Sequence, residues 1–592
     1  MLHSQCLPGC AGWNLQRSQP RSPVQQVVSL PMRKATAAAR QQNSSVVRTM
    51  AAVADQQWQV SNQGLPARDQ GAADADTHVT VNHPTANRAE VPRNIVFVSS
   101  EVAPWSKSGG LGDVMGALPK ALSARGHRVM VVAPRYKVYP DALDTGKRHT
   151  VLGVEVGYFH HVSAGVDFVF VDHPSLPREG GLYGDTFGTY GDNQFRFTLL
   201  TLAALEAPLV LPLGERGLYG QDVTFFANDW HTALVPVYVA AKYRPYGVYT
   251  GARSILAIHN LMHQGVFPPT TFAGTGLPAN WSGATEWQYP PEQRQGAYHE
   301  EGRAVNYLKA GIITADRLVT VSPGYADEIK TMAGGWGMDS LLANRGYVLN
   351  GITNGIDTSV WNPATDPHIP YNYDINSFVE GKAACKLALQ KELALPEDAD
   401  CPLYAFIGRL DSQKGADILL QAAALLLKNE RMQLVCLGTG NKDLEEGLRN
   451  LESNNRDKAR CWVGFNEAFA HKLTAAADFV LMPSRFEPCG LNQLYAMRYG
   501  AVPIAHRTGG LKDTVTDCHP LTKEGTGWTY ANCDPQGLMW AIGTGMKMYH
   551  EKRDEFRELQ QRGMGRDSSW DTAAQAYEQV MDWAAQDEPQ CK

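Results

Sequence analysis

From residue 94 onward the chain alternates short apolar runs with longer stretches in which apolar residues recur every three or four positions. IVFVSS (95–100) leads into a glycine-rich turn and a helical pattern, and then into RVMVVAP (128–134). FVFVDHP (168–174), FFANDW (225–230) and SILAIHN (254–260) keep the rhythm, each an apolar run ending in polar residues. Runs this short, and this rich in β-branched and aromatic residues, predict strands covered on both faces, as in a parallel sheet. Near residue 400 the pattern restarts. PLYAFIGRL (402–410), a helix through ILLQAAALLLK (418–428), MQLVCLGTG (432–440), FVLMPS (479–484) and VPIAH (502–506) follow in turn. Strands alternating with helices imply βαβ units. Two such series, parted by a less regular stretch from about 265 to 395, predict an α/β protein of two doubly wound domains facing one another. Ligands of open parallel sheets bind beyond the carboxyl ends of the strands, so functional residues are expected just after the apolar runs.

The first 54 residues break the pattern. They hold six Lys and Arg, no Asp or Glu, and many Ser, Gln and Ala. That is the composition of an organelle transit peptide, without the apolar core of a secretory signal. Composition alone does not separate plastid from mitochondrion. Residues 55–92, polar and rich in Gly, Ala and Asp, read as a linker. The predicted division is therefore 1–54 leader, 55–92 linker, 93–350 first Rossmann-like domain, 351–565 second, and 566–592 a C-terminal helix returning to the first domain, with a tail. A chain of 592 residues, 44% hydrophobic, has ample length for both cores. Without the leader it carries 48 Lys and Arg against 60 Asp and Glu, a net charge of −12, so nucleic acid is not expected as a partner. Ten cysteines without paired CxxC arrays argue against a zinc module or a disulfide framework. The best candidate for a membrane span, residues 199–213, falls short of the required ~20 residues and carries Glu206, so no membrane partner is expected either.

Five loops at predicted strand ends concentrate the chemistry. Lys107-Ser108-Gly109-Gly110-Leu111-Gly112-Asp113 lets backbone approach a ligand closely and opens a helix whose N-terminus favours an anion. It is not a dinucleotide fingerprint, because Met115 holds the third glycine position, and the glycines at 438 and 440 fail likewise at Asp443. RLDSQKG (409–415) sets Arg409 and Lys414 five residues apart, where a guanidinium fork and a lysine point charge can converge on one anion. In SRFEPCGL (484–491), Pro488 and Gly490 shape a turn before the helical LNQLYAMRY, with N–H groups near Gly490 and Leu491. Glu487 in that turn is placed to grip hydroxyls or a developing positive charge. RTGGL (507–511) repeats the glycine turn, and Asp229 in NDWH and His259 in AIHN also end strands. Taken singly, each has a bland alternative: a tight turn, a surface ion pair, a satisfied structural polar group. Five such loops together are not easily structural accident.

KSGGLGDV, NDWH, HNLMHQG, VSPGY, NGID, IGRLDSQKG and SRFEPCGLNQLYAMRYG follow the order and spacing of one family. Over residues 93–585 the chain resembles the bacterial glycogen synthases and plant starch synthases. RPYGVYTGARSILAIHN, GLPANWSGATEW and VLNGITNGID look most like the soluble class I starch synthases, with Ser108 in place of the commoner Thr. The resemblance implies the GT-B fold and retaining transfer of glucose from ADP-glucose to the non-reducing end of an α-1,4-glucan. It further implies that Lys107 contacts the donor and acceptor sides, that Gly109 and Gly110 place amides by the diphosphate, and that Arg409 and Lys414 neutralise it. Glu487 then binds the glucose hydroxyls, with Cys489, Gly490 and Leu491 lining sugar and phosphate. Asp229, His259 and Asn354 surround the transferred glucose, and Phe465 in WVGFN stacks on adenine. Thr508 and Gly509 join the substrate-binding set. Tyr495 stands eight positions after Glu487, where the sucrose-synthase pattern has a second glutamate.

No metal and no cofactor are expected. DAD occurs at 74–76 and 398–400, in linker-like contexts, while Arg409, Lys414 and helix N-termini can meet the charge of a leaving diphosphate. The family's mechanism, in which acceptor attacks from the donor's own face and the leaving phosphate takes its proton, implies retention without a protein nucleophile. The implied partners are ADP-glucose, an α-1,4-glucan or maltooligosaccharide, and other starch-synthesis enzymes. Leader and starch chemistry together point to the plastid, in the stroma or on starch. A non-catalytic glucan-binding scaffold of the same fold is the rival from another class. A dehydrogenase lacks its glycine fingerprint, and a phosphorylase would use glucose-1-phosphate and a pyridoxal cofactor.

Overall fold

The computed structural model describes residues 88–289, 302–519 and 524–591, so the leader and nearly all of the linker lie outside the described residues. The first sheet grows from β1 (Asn94–Val98), buried from its second residue on, as a strand covered on both faces should be. Around it lie β2 (Arg128–Pro134), β3 (Leu143–Val151), β4 (Val154–Ser163), β5 (Val166–Asp172), β6 (Thr224–Asn228), β7 (Arg253–Ile258), β8 (Arg317–Thr320) and β9 (Leu349–Gly351). Their order is β9-β8-β7-β6-β1-β2-β5-β4-β3. β1 pairs in parallel with β2, Ile95 beside Val129, and with β6, Ile95 beside Thr224. Helix α1 (Gly110–Ala124) follows the first glycine loop. α2 (Asn193–Val210) takes up most of the 199–213 apolar run and buries it against Val96, Val98 and Met130. Among the described residues no helix is long and apolar enough to cross a membrane.

The sheet departs from the sequence expectation at both edges. β3 pairs antiparallel with β4, and β4 with β5, so the sheet is mixed rather than parallel throughout. β3, LDTGKRHTV, is mostly solvated and carries no apolar run to announce it. At the other edge β8 and β9 come from the stretch read as irregular, because RLVT and LNG are too short to register as strands.

The second sheet is parallel throughout. β10 (Leu403–Ile407), β11 (Gln433–Gly438), β12 (Ala459–Val463), β13 (Phe479–Met482), β14 (Val502–His506) and β15 (Trp528–Tyr530) lie in the order β12-β11-β10-β13-β14-β15. α3 (Ala416–Asn429) buries Ile418, Leu419, Ala422, Ala423 and Leu427, the three-and-four spacing of one helical stripe. α4 (Glu467–Ala476) is capped by the Asn466 side chain, which accepts from Phe469 N, and α5 (Asn492–Arg498) follows the Pro488–Gly490 turn.

Both sheets belong to one compact unit, and in each the strand order reverses beside the sheet's first strand. The reversal falls between β6 and β1 in the first sheet and between β10 and β13 in the second. Loops leaving adjacent strands at such a point diverge and leave a crevice between them. The chain passes between the sheets twice, side by side. Ile356 N donates to Ser568 O at 2.7 Å, and a Cβ on Gly355 would lie 2.6 Å from Ser569 O. Beyond that crossing α6 (Trp570–Gln586) lies on the first domain, sharing a core with Ile95 and Phe97 through Trp570, Ala574, Tyr577 and Met581. Arg125 grips Glu578 with two N–H donors at 2.7 and 2.8 Å, and Arg93 reaches Asp582 at 2.7 Å.

Candidate functional site

The loops after β10 and β13 meet at the switch point of the second sheet. Gly415 has φ of 67°, and a Cβ there would lie 2.0 Å from Pro483 O, so the turn needs glycine. That turn brings Lys414 to the neighbouring loop, with Nζ 2.6 Å from Glu487 Oε2. Ser484 Oγ donates to the same oxygen at 3.1 Å. The Glu487 side chain is only 6% exposed, so the pair is held largely out of water. Arg409 remains half exposed: Nη2 donates to Gln413 Oε1 at 2.9 Å and Nη1 lies 3.4 Å from Asp411 Oδ2. Gln493 Nε2 donates to the carbonyls of Cys489 and Gly490, fixing the turn ahead of α5. Burial pushes the Cys489 thiol up to about 12, so it lines the site uncharged. Tyr495 stacks on Trp361 at 3.9 Å, and His471 covers the indole's other face at 3.7 Å. Phe465, beyond β12, stands 76% exposed.

The first sheet contributes a different chemistry. Asp229 follows β6 immediately and takes φ of 55°, a strained position for a residue with a Cβ. Its carboxylate oxygen Oδ1 accepts from His259 N at 2.7 Å and Asn260 N at 3.3 Å, in the loop after β7. Burial pushes the Asp229 carboxyl up to about 7, against those two amides, which favour its charged form. His259 Nε2 lies 2.9 Å from Asn228 Oδ1, and burial pushes the ring down to about 4. After β1, the buried Glu101 accepts from Ser108 N and Ser108 Oγ, both at 2.6 Å, from Gly109 N at 3.3 Å, and from Tyr183 OH at 2.5 Å. The Gly109 amide, expected beside a diphosphate, is therefore already engaged by a carboxylate of the same domain.

Lys107 Nζ lies 2.7 Å from Asp113 Oδ1 and 3.6 Å from Glu467 Oε1 at the start of α4, on the other domain. Burial by itself would lower this lysine, but the two carboxylates outweigh it and hold its pKa above the ordinary range. A Cβ on Gly110 would lie 3.9 Å from Leu491, so the two domains nearly touch there.

These loops enclose a cleft of about 920 Å³ between the domains. Lys107, Gly109, Gly110, Asp229, His259, Asn354, Arg409, Lys414, Phe465, Glu487, Cys489, Gly490, Leu491 and Tyr495 all line it. Thr508 and Gly509 do not. Thr508 Oγ1 and Gly509 N donate to Glu328 of the first domain at 3.2 and 3.0 Å, and a Cβ on Gly509 would meet Glu487 O at 2.1 Å. They brace the Glu487 turn from behind, because β14 lies one strand away from the switch point. The sequence reading passed over Glu101, Tyr183, Trp336 and Glu467, which also line the cleft. Glu101 had a signal, being an acid just past the first strand; Tyr183 sits in a glycine-dense loop with none. Asn354 Oδ1, and Nδ1 of the further lining residue His231, are buried without a protein partner. Among the described residues no group of three or more His, Cys, Asp or Glu could hold a metal ion.

Comparison with known proteins agrees with this geometry. Residues 94–344 match the family model described as the starch synthase catalytic domain, and residues 390–562 match that of glycosyl transferases group 1. Soluble starch synthase 1, chloroplastic/amyloplastic, of Solanum tuberosum is 52% identical over 552 residues, covering 91% of this chain and 85% of that protein. Starch synthase 1, chloroplastic/amyloplastic, of Arabidopsis thaliana is 52% identical over 519 residues, covering 85% and 79%. Among solved structures, the catalytic domain of starch synthase IV from Arabidopsis thaliana, bound to ADP and acarbose, matches with a TM-score of 0.74 and 32% identity, covering 84% of this chain and 100% of that one. Sucrose-phosphate synthase from Thermosynechococcus elongatus, at 17% identity and a TM-score of 0.52, covers 83% and 98% and shares the fold. Two Rossmann-like sheets around a cleft are the GT-B architecture, and the chain belongs to the starch synthase family of glycosyltransferases.

Proposed function

We propose that this starch synthase transfers glucose from ADP-glucose to the non-reducing end of an α-1,4-glucan, with retention of configuration, in the plastid. The observation that carries the reading is the Lys414–Glu487 pair beside Arg409 at the switch point of the second sheet. A nucleoside diphosphate needs cations with N–H groups to offer. Arg409 reaches the cleft with its guanidinium fork, and Lys414 exchanges part of its pairing with Glu487 for phosphate oxygen. Glu487 is then free to accept from sugar hydroxyls. On the other wall Asp229 and His259, both pushed toward neutrality, offer hydrogen bonds to the glucose without adding charge.

Cleavage of the glucosyl–phosphate bond leaves one more negative charge on ADP and oxocarbenium character on the sugar. Preorganised cations lining the cleft stabilise the first, and Glu487 stands by the second. The leaving phosphate oxygen takes the acceptor hydroxyl's proton as the new bond forms on the same face. This reading assigns the leaving charge to Arg409 and Lys414 with no metal, and adenine to Phe465. The ADP and acarbose of the starch synthase IV structure support the two substrate classes. The relatives' chloroplastic/amyloplastic names, with the acid-free leader, support the plastid.

The test is transfer of label from ADP-glucose or UDP-glucose to a maltooligosaccharide, with chelator present. Label in α-1,4 product from ADP-glucose is the expected result. Transfer from UDP-glucose alone overturns the donor, and loss of transfer on chelation overturns the metal-free assignment. No transfer from either donor, by folded protein that binds glucan, replaces the enzyme with a scaffold.

A further inference from the structure

Two phenylalanines among the described residues stand mostly in solvent: Phe465, 76% exposed, and Phe187, 97% exposed. Phe465 lies on the second domain's lip of the cleft and has an assigned role. Phe187, on the first domain, has none. It occupies the turn of a short hairpin in which Gly184 pairs with Thr189 and Asp185 with Gly188. The turn is built rather than loose. Phe187 N donates to Asp185 Oδ1 at 2.7 Å, Gly188 takes φ of 128°, and a Cβ on Gly184 would lie 2.3 Å from Gly188 O.

The root of this hairpin is cleft wall. Thr189 and Tyr183 both line the cleft, and the Tyr183 hydroxyl donates to Glu101 behind the glycine loop. Asn193 Nδ2 ties the Tyr183 carbonyl to the start of α2 at 2.8 Å. At about 3.4 Å per residue, Phe187 therefore lies within roughly 7 Å of the wall at Thr189. A bare phenyl ring contributes nothing to folding there, and loops at the rim of a rigid scaffold are where binding residues concentrate. Its chain neighbours Asp185, Thr186 and Gly188 are polar or glycine, so the tip of the hairpin presents no run of apolar residues. A stable protein partner needs contact over roughly 1,000 Å². A single ring flanked by polar and glycine residues fits one sugar unit, with the C–H face of a glucose on the ring and hydroxyls left to the flanking polar groups.

We infer that Phe187 is an outer acceptor subsite, a platform for a glucose unit set back from the reacting end of the glucan. The inference rests on the glucan-acceptor reading above and adds a determinant of acceptor length to it. Only chains long enough to emerge from the cleft reach the ring, so its contribution appears in the preference for long acceptors over short ones.

The experiment measures KM for maltose and for a long linear maltodextrin at saturating ADP-glucose, in the full chain and in Phe187→Ala and Phe187→Tyr. Loss of the ring's stacking is expected to raise the maltodextrin-to-maltose KM ratio about 3- to 10-fold in Phe187→Ala, with Phe187→Tyr restoring the parent ratio. Calorimetric binding of maltodextrin without donor is expected to weaken by the same factor. An unchanged ratio, or loss of the two acceptors in equal proportion, overturns the subsite while leaving glucan transfer in place. Absence of transfer to either acceptor by the unaltered chain overturns the functional reading, and the subsite with it.

Discussion

On the second domain's wall Lys414 and Glu487 form a close ion pair, whereas on the first domain's wall Asp229 and His259 are buried and pushed toward neutrality. Lys414 and Glu487 lie 2.6 Å apart with Arg409 beside them. Asp229 rises to about 7 and His259 falls to about 4 for the same reason, burial with no counter-charge at hand. Both walls are made by loops leaving parallel strands at a switch point, so topology alone does not produce the difference. What differs is what each loop places beside the group: a lysine and a serine hydroxyl for Glu487, two backbone amides for Asp229. A diphosphate needs the first environment. A sugar, recognised through hydroxyls that both donate and accept, is served by the second.

The comparison breaks most visibly at Lys414. Lys414→Ala leaves Glu487 buried without its cation and the leaving phosphate with Arg409 alone. kcat is expected to fall roughly 10²–10³-fold, the scale for removing one preorganised group that stabilises transition-state charge. Near-native turnover in steady-state assays would move the leaving charge off this wall altogether.

The first wall is probed through pH. Asp229 has a folded pKa of about 7 against an unfolded value of about 4, so folding takes up a proton and its contribution to stability falls as pH rises through that window. His259 has a folded pKa of about 4 against about 6.5 unfolded, so its contribution is lost as pH falls from about 6.5 to 4. The two slopes oppose one another over most of the range, so these two groups together contribute little net pH dependence. Asp229→Asn keeps an acceptor for the His259 and Asn260 amides and removes one slope. Relative to the parent it should gain about 1.4 kcal/mol of stability per pH unit between pH 4 and 7, read from denaturant unfolding at several pH values. A stability difference that does not vary with pH would mean Asp229 is ionised in the folded protein, and the walls would no longer differ in kind.

The residues legible in the sequence are those whose position follows from a buried strand. β1, β2, β10 and β13 announce themselves as apolar runs, and Asp229, His259, Arg409 and Glu487 stand where those runs or their neighbours end. β3 carries no such signal because one edge of the sheet faces water. Glycine turns are legible as turns, but their neighbours are not. The turns at 109 and 509 look alike in the sequence, yet Glu101 occupies the amide of one and Glu328 that of the other. Glu101 lies only eight residues before its turn, whereas Glu328 is far off in the chain and in the other domain. Phe187 is illegible for a related reason: a stretch dense in glycine has no period, and only the fold shows that its tip stays bare.

Lys107 is where the walls meet, and it sharpens the comparison with the smallest expected effect. It pairs with Asp113 on its own domain at 2.7 Å and with Glu467 across the cleft at 3.6 Å. The longer contact is the weaker one on two counts. The Glu467 side chain is 52% exposed, so water and salt screen the pair. Glu467 also opens α4, where the helix N-terminus favours a carboxylate whether or not a lysine is near. An exposed pair of this kind is worth less than about 1 kcal/mol, so Glu467→Gln should raise the donor KM by less than about fivefold, leave kcat in place, and lose even that effect in high salt. A larger shift that persists in high salt would show that the second wall's charge reaches across the cleft to position Lys107. The boundary between charged and neutral walls would then run behind the glycine loop, through the Glu101 cluster, and not along the cleft itself.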